Sequence, residues 1–309
     1  MAPWPGAWYW AHARSRDLLS WEHLPPNLTP AFEWGLNNVG SGSTIITDQG
    51  KALAFYSSSH HEGPMQFWRA QFTDTADLNE WKHESPNPVL TLEYPSLPPF
   101  DKFWRDPFVF QSQGRTFLIA CADLFEEDIV PVPIFEAKNQ ELTEWSYQGI
   151  LFTYPKHKLR NMEVPELRPL GDKWLLLASS DAPVDRTYYF VGNLDLESFT
   201  FIPDTKGVLD YSGHYYAQET IADDQGNLFL MAWVPGWDRD WLPTYMNEPL
   251  KNSSPLWNGC FAIPRRLTLD ENGTLIQQPI KVLKQTSGRS TFASGAGSCL
   301  SPVPLRPMK

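Results

Sequence analysis

Short runs of apolar residues, separated by polar turns, follow one another along most of this chain. In one clear case the run 43–47 (Ser-Thr-Ile-Ile-Thr) leads through Asp-Gln-Gly-Lys at 48–51 into a second run at 52–56. Two such runs joined by a glycine-containing turn predict a β-hairpin. Because no long segment repeats its apolar residues with helical spacing, the pattern predicts an all-β chain.

The same hairpin pattern returns three more times along the chain. Its two runs fall at 106–110 and 116–120, then at 166–170 and 174–178, and finally at 219–221 and 229–233. Each hairpin is followed by a third apolar run and then by a further one. We therefore predict repeated units of four strands each.

A short phrase marks the outer half of each unit. It consists of an acidic residue, a leucine, two variable positions and an aromatic residue, and its copies lie roughly 60 residues apart. The four copies occupy residues 17–21, 77–81, 141–145 and 195–199. Small sheets repeated at this interval are typical of a β-propeller, in which radial repetition leaves only short, protected strand edges.

The number of repeats predicts an all-β fold, a five-bladed β-propeller whose first blade is incomplete. The first unit starts at its third strand, around Trp8-Tyr9-Trp10, with no inner pair of strands before it. We predict that the propeller module spans residues 1–285. The Gly/Ser-rich stretch that begins after Gln285 predicts a disordered tail over residues 286–309.

Composition and charge argue against several classes of partner. The chain has 309 residues, of which 42% are hydrophobic and 14 are Trp, so a large aromatic core is expected. Its net charge of −11 argues against nucleic acid and against an anionic membrane surface as partners. No apolar run approaches the roughly 20 residues of a membrane span, and the first residues do not form a signal peptide pattern. Compartment and oligomeric state stay open.

The cysteines suggest neither a disulfide scaffold nor a metal site. Cys121, Cys260 and Cys299 are few, and their spacing is not that of metal ligands. We therefore predict no metal and no cofactor.

Candidate chemistry lies at the starts of the innermost strands, which surround the central funnel of a propeller. Arg105 is expected to lower the pKa of Asp106 and keep that carboxylate ionised. Glu163 precedes Val164 and Pro165, an apolar local sequence that favours a neutral, proton-donating carboxyl. Two carboxylates in different protonation states are what glycosidases require. Taken singly, each motif also fits a solvated surface, but their recurrence at successive strand starts favours a site.

Several motifs also occur in the order in which one known family carries them. Residues 10–25 are similar to the stretch W-G-H-A-x-S-x-D-L-x-x-W-x-x-L-P, 41–43 to F-S-G-S, 105–107 to R-D-P, 163–165 to E-C-P, 216–217 to Y-A, and 258–265 to G-x-x-x-x-P-R. From about residue 4 to residue 284 the chain resembles the five-bladed module of family 32 glycoside hydrolases, the group of invertases, inulinases and levanases.

The resemblance implies a retaining β-fructofuranosidase that acts on a carbohydrate such as sucrose or a fructan. It implies that Glu163 is the general acid/base. Asp106, with Arg105 beside it, would hold fructose hydroxyls and stabilise the oxocarbenium-like transition state. It also implies a fructose subsite lined by Trp10, Ser41 and Trp233.

The chain departs from the family pattern in ways that leave three hypotheses open. The family's nucleophile belongs to a W-M-N-D-P-N-G motif ahead of the Trp10 stretch, and this sequence has no counterpart of it. The family's C-terminal β-sandwich has no counterpart either, and Gly40 stands where an aromatic residue is usual. The hypotheses are a fructofuranosidase-type hydrolase, a pseudoenzyme that binds fructosides without cleaving them, and a furanosidase acting on arabinose-type sugars.

Overall fold

A computed structural model describes residues 7–60, 63–73, 81–100, 103–124, 127–181, 186–212, 215–234 and 260–280. Within these ranges almost all regular structure is β-strand, and the helical content is one short 3-10 turn, Phe32–Trp34. The prediction of an all-β chain is confirmed. The predicted tail, residues 286–309, and the second copy of the repeated phrase up to residue 80 lie outside the described residues.

The strands form five antiparallel sheets, numbered I to V in chain order, with sequential neighbours paired in each. Sheet I contains β1 (Trp10–Arg14) and β2 (Glu22–Leu28). Sheet II contains β3 (Gly42–Ile46), β4 (Ala52–Ser58), β5 (Gln66–Phe72) and β6 (Trp81–His83). Sheet III contains β7 (Arg105–Ser112), β8 (Arg115–Cys121), β9 (Ile129–Ala137) and β10 (Trp145–Pro155).

The remaining two sheets follow the same plan. Sheet IV contains β11 (Glu163–Leu170), β12 (Lys173–Ser180), β13 (Arg186–Asp195) and β14 (Thr200–Val208). Sheet V contains β15 (Tyr216–Ala222), β16 (Leu228–Val234), β18 (Arg265–Leu269) and β19 (Leu275–Pro279), and the short β17 (Cys260–Phe261) pairs with β16. Sheets II to IV are thus the four-stranded units that the sequence predicts, sheet V has four such strands plus the short β17, and sheet I has two strands.

In the three copies that the structure describes, the repeated phrase forms the turn between the two outer strands of a sheet. Asp17 Oδ1 accepts the backbone N–H groups of Leu19 at 2.8 Å and Ser20 at 2.7 Å. In sheet IV, Asp195 Oδ1 accepts the N–H of Glu197 in the same way, at 2.9 Å. An aspartate that bonds the backbone two residues ahead stabilises a tight turn, which explains the acidic residue at the start of these two copies. In the third copy Asn139, just before the phrase, accepts the N–H of Thr143 at 3.0 Å instead.

Apolar side chains fill the spaces between consecutive sheets. Between sheets III and IV the core contains Phe117, Ile134, Leu176 and Phe190, each at most 1% exposed. Comparable clusters separate sheets II and III, sheets IV and V, and sheet II from the segment that includes β2. The inner strands β3, β7, β11 and β15 also contact one another in sequence. In the described part of the chain the arrangement is therefore propeller-like, with sheets II to V as four blades.

Polar contacts also join the inner strands of neighbouring sheets. The buried Ser43 hydroxyl in β3 donates to the carbonyl of Pro107 at 3.0 Å and accepts the N–H of Val109 at 2.9 Å. One hydroxyl thus satisfies a donor and an acceptor of β7. A buried backbone group without a partner would cost free energy, so this hydroxyl stabilises the junction.

We predict that Ser43→Ala lowers the free energy of unfolding by about 1–3 kcal/mol, because it leaves two backbone groups of β7 without a partner. Urea denaturation checks this. Ser112→Ala, at the half-exposed hairpin end of β7, is the matched control and should change stability by less than about 0.5 kcal/mol. Equal effects of the two substitutions would contradict the assigned role of Ser43.

Candidate functional site

Three neighbouring inner strands begin with the same irregularity. Their pairing shifts register between the first and fourth residues, as in a β-bulge, which redirects side chains at a strand end. At each bulge the second residue has a positive φ, a conformation that non-glycine residues rarely adopt. These residues are Asp106 (59°), Val164 (47°) and Ala217 (48°). The residues before them, Arg105, Glu163 and Tyr216, therefore occupy equivalent positions in sheets III, IV and V.

The structure brings Arg105, Asp106 and Glu163 into one ion-pair cluster. The Nη2 of Arg105 donates to Glu163 Oε1, and its Nε lies 3.7 Å from Asp106 Oδ2. The three side chains are 24%, 5% and 17% exposed, respectively. Because the cluster is largely screened from water, its charge-assisted hydrogen bonds are stronger than those of a surface pair.

Two further residues hold the Glu163 carboxylate. The side-chain amide of Asn161, itself buried, donates to Oε1 at 3.1 Å. The hydroxyl of Tyr216 donates to Oε2. Sequence analysis did not propose either residue for the site. Tyr216 could have been found, because it holds the same place in its unit as Arg105 and Glu163; Asn161 gives no signal of that kind.

The prediction that the Asp106 carboxyl has a lowered pKa is wrong. Burial raises its pKa to about 6, and the nearby Glu163 charge adds to the rise. Arg105, the Val164 N–H and the Ser41 hydroxyl favour the ionised form but do not outweigh burial. The sequence identified the neighbouring cation correctly but gave no measure of how deeply the carboxyl lies.

The other three predicted residues lie close to this cluster. The Ser41 hydroxyl bonds Asp106, and the indole N–H of Trp10 donates to the carbonyl of Gly40 at 2.9 Å. Trp233 is paired with Tyr216 across β15 and β16. Each of the three therefore lies within one or two residues of a group in, or bonded to, the cluster.

The Trp10 ring rests against a buried tyrosine. The ring centroids of Trp10 and Tyr56 are 6.4 Å apart in an edge-on arrangement. The Tyr56 hydroxyl contacts His83 Nδ1 at 2.7 Å, and His83 Nε2 contacts the carbonyl of Thr29 at 2.7 Å. With its proton on Nε2, a neutral His83 accepts the Tyr56 hydroxyl at Nδ1 and donates from Nε2 to the carbonyl of Thr29. They hold the segment after β2 against sheet II and thereby support Trp10.

Among the described residues, no group of three or more His, Cys, Asp or Glu side chains is arranged to hold a metal ion. Nor does that part of the chain contain a helix long and apolar enough to cross a membrane.

The candidate site thus combines propeller-like packing with a cation that links two carboxylates at the starts of neighbouring inner strands. A family model described as the glycosyl hydrolases family 32 N-terminal domain matches residues 1–279. The chain belongs to this family.

Curated relatives include the sucrose-6-phosphate hydrolase of Klebsiella pneumoniae, 28% identical over 97% of this chain and 63% of that protein. The levanase of Bacillus sp. (strain L7) is 27% identical over 89% of this chain and 31% of its own length. Among solved structures, fructan 1-exohydrolase IIa from Cichorium intybus has a TM-score of 0.75 at 22% identity, over 92% of this chain and 55% of that one. Bombyx mori β-fructofuranosidase BmSUC1 has a TM-score of 0.71 at 22% identity, over 90% of this chain and 57% of that one. The chain thus spans less than two thirds of the length of these relatives.

We predict a pH dependence of stability that comes from Asp106. Its folded-state pKa, about 6, lies above the ordinary value of 3.8, so the folded chain binds this proton more tightly than the unfolded chain. The stability of the native chain relative to Asp106→Asn should therefore fall as the pH rises from 4 to 6.5, by about 2 kcal/mol, and level off above that. Urea denaturation at a series of pH values measures this difference.

Asp195→Asn supplies a control of opposite sign. The Ser198 hydroxyl and the N–H groups of Glu197 and Ser198 lower the pKa of Asp195, so its contribution to stability is lost as the pH falls. A stability difference for Asp106→Asn that stayed flat, or grew with pH, would contradict the burial argument.

Proposed function

We propose that this chain forms the fructoside-binding and acid/base part of a β-fructofuranosidase-type glycosidase. The observation that carries the proposal is the shared guanidinium of Arg105, which contacts both Asp106 and Glu163. Relatives named as sucrose-6-phosphate hydrolase, levanase and β-fructofuranosidase support a fructoside as the substrate class.

In the proposed reaction Glu163 is the general acid. Its carboxyl proton passes to the glycosidic oxygen as the bond to the fructosyl carbon breaks, and the aglycone leaves as an alcohol. The donors Arg105, Asn161 and Tyr216 stabilise the carboxylate that this step creates. Water then forms a new bond from its oxygen to the fructosyl carbon, the Glu163 carboxylate takes a proton from that water, and fructose is released.

Asp106 has the proposed role of holding fructose hydroxyls. It is buried and bonded by the Ser41 hydroxyl, and the indole of Trp10 bonds the carbonyl of Gly40, the residue before Ser41. Trp10, Ser41 and Trp233 are proposed to line the fructose subsite. Sheet I is proposed to be the outer half of a fifth blade next to this subsite, which agrees with its two-stranded form.

Binding without cleavage is the second candidate function. A retaining mechanism requires a nucleophilic carboxylate about 5 Å from the general acid. Asp106 is the carboxylate that lies beside Glu163 in the cluster, and its Oδ2 already accepts the N–H of Val164 at 2.9 Å. An oxygen that is held in this way is poorly placed to attack a sugar.

Titration calorimetry combined with product analysis tests the proposal. The chain is incubated with sucrose, sucrose 6-phosphate, inulin, levan and arabinan. Hydrolysis of a fructoside supports the first candidate, and heat of binding to a fructoside without product supports the second. Cleavage of arabinan alone would select the furanosidase hypothesis, and no binding of any fructoside would overturn both fructoside proposals.

We predict that Glu163→Gln lowers fructoside hydrolysis by about 100-fold or more, because the amide cannot deliver the proton, while fructoside binding changes little. Initial rates and calorimetry on the same preparation measure the two effects. Glu136→Gln is the matched control, since Glu136 pairs with Arg115 in sheet III, outside the cluster. If both variants lost activity equally, Glu163 would not be the acid.

A further inference from the structure

The backbone N–H at each of the three bulges is bonded by a side chain of the preceding sheet. The Asp106 N–H donates to Ser57 Oγ at 2.8 Å, across the junction of sheets II and III. The Ala217 N–H donates to Ser179 Oγ at 2.9 Å, across the junction of sheets IV and V. At the junction of sheets III and IV the acceptor differs, because the Val164 N–H donates to Asp106 Oδ2 at 2.9 Å.

Register explains why that junction differs. Ser179 lies opposite Glu163, the first residue of the inner strand of its sheet, and the Ser57 N–H bonds the carbonyl of Ser41 just ahead of β3. In sheet III the position opposite the first residue, Arg105, belongs to Cys121. Cys121 therefore stands where the neighbouring sheets carry a serine.

A buried thiol is a poor substitute for a hydroxyl as an acceptor. Cys121 is 0% exposed, and its sulfur is hydrogen-bonded to the backbone of Met162. Thiol sulfur accepts hydrogen bonds only weakly, so the Val164 N–H needs another partner. The Asp106 carboxylate meets this need, because it lies at the bulge of the same sheet and reaches across to sheet IV.

We infer that Asp106 is a positioning residue that joins sheets III and IV, and that Cys121 leaves this junction to the carboxylate. Because Val164 directly follows Glu163, the bond fixes the backbone from which the Glu163 side chain extends. This bond between sheets III and IV is independent of the proposed function, because it holds the strand starts together whether or not a sugar is cleaved. A chain that cleaves no sugar tests it equally well.

Hydrogen exchange at the Val164 amide is the direct test, followed on peptides that cover residues 161–165. Asp106→Ala removes the acceptor and should speed exchange of this amide by about tenfold or more. Asp106→Asn keeps an acceptor oxygen and should leave exchange close to that of the native chain. Ser179→Ala is the matched control, which should expose the Ala217 amide and leave Val164 protected.

A second substitution tests the part assigned to Cys121. In the Asp106→Ala background, Cys121→Ser restores a hydroxyl at the position that Ser57 and Ser179 occupy, so protection of Val164 should return. Thermal unfolding of the same set should show Asp106→Ala lowered by about 3–10 °C and the double variant partly recovered. This comparison also serves if Asp106→Ala alone does not fold.

Two results would overturn the inference. One is exchange at Val164 that stays slow in Asp106→Ala, or that is as fast in Asp106→Asn as in Asp106→Ala. The other is a double variant that is no better protected and no more stable than Asp106→Ala, which would show that Cys121 does not determine how this junction is bonded.

Discussion

The guanidinium of Arg105 is the group on which the candidate site depends. Two carboxylates with little exposure to water would repel each other and resist ionisation if they met at the junction of two sheets. Arg105 lies between them and bonds Glu163 while staying within 3.7 Å of Asp106. Its planar, permanently charged head can serve two acceptors at once, which a lysine ammonium would do less well.

Backbone geometry places that guanidinium. The bulges at the starts of β7, β11 and β15 put one residue of each strand into the left-handed region and turn its neighbours away from the regular ladder. Each bulge takes a backbone N–H out of the sheet. A side-chain oxygen of the preceding sheet accepts this N–H. The preceding sheet therefore stabilises the strained backbone at the strand start.

The features that follow from local sequence pattern could be predicted from the sequence. The alternation of apolar runs and turns identified the inner hairpins, and the acidic residue of the repeated phrase marks a turn that Asp17 and Asp195 stabilise. Sequence analysis also proposed Arg105, Asp106 and Glu163, which the structure brings together. Contacts between sheets could not be predicted in this way, because Asn161 and Tyr216 contact Glu163 only once the sheets have packed. The error on the Asp106 pKa has the same origin, because burial depends on three neighbouring sheets.

Equivalent junctions between sheets differ in the side chain that bonds the bulge. Between sheets IV and V a serine bonds the bulge, and its hydroxyl continues into a neutral network with Thr187 and Gln218. Between sheets III and IV a thiol takes that place and a carboxylate makes the bond. A charge there would be costly without the cation next to it. The ion-pair cluster and the altered junction therefore depend on each other: Arg105 makes the buried carboxylate tolerable, and the carboxylate fixes the strand start from which Glu163 meets Arg105.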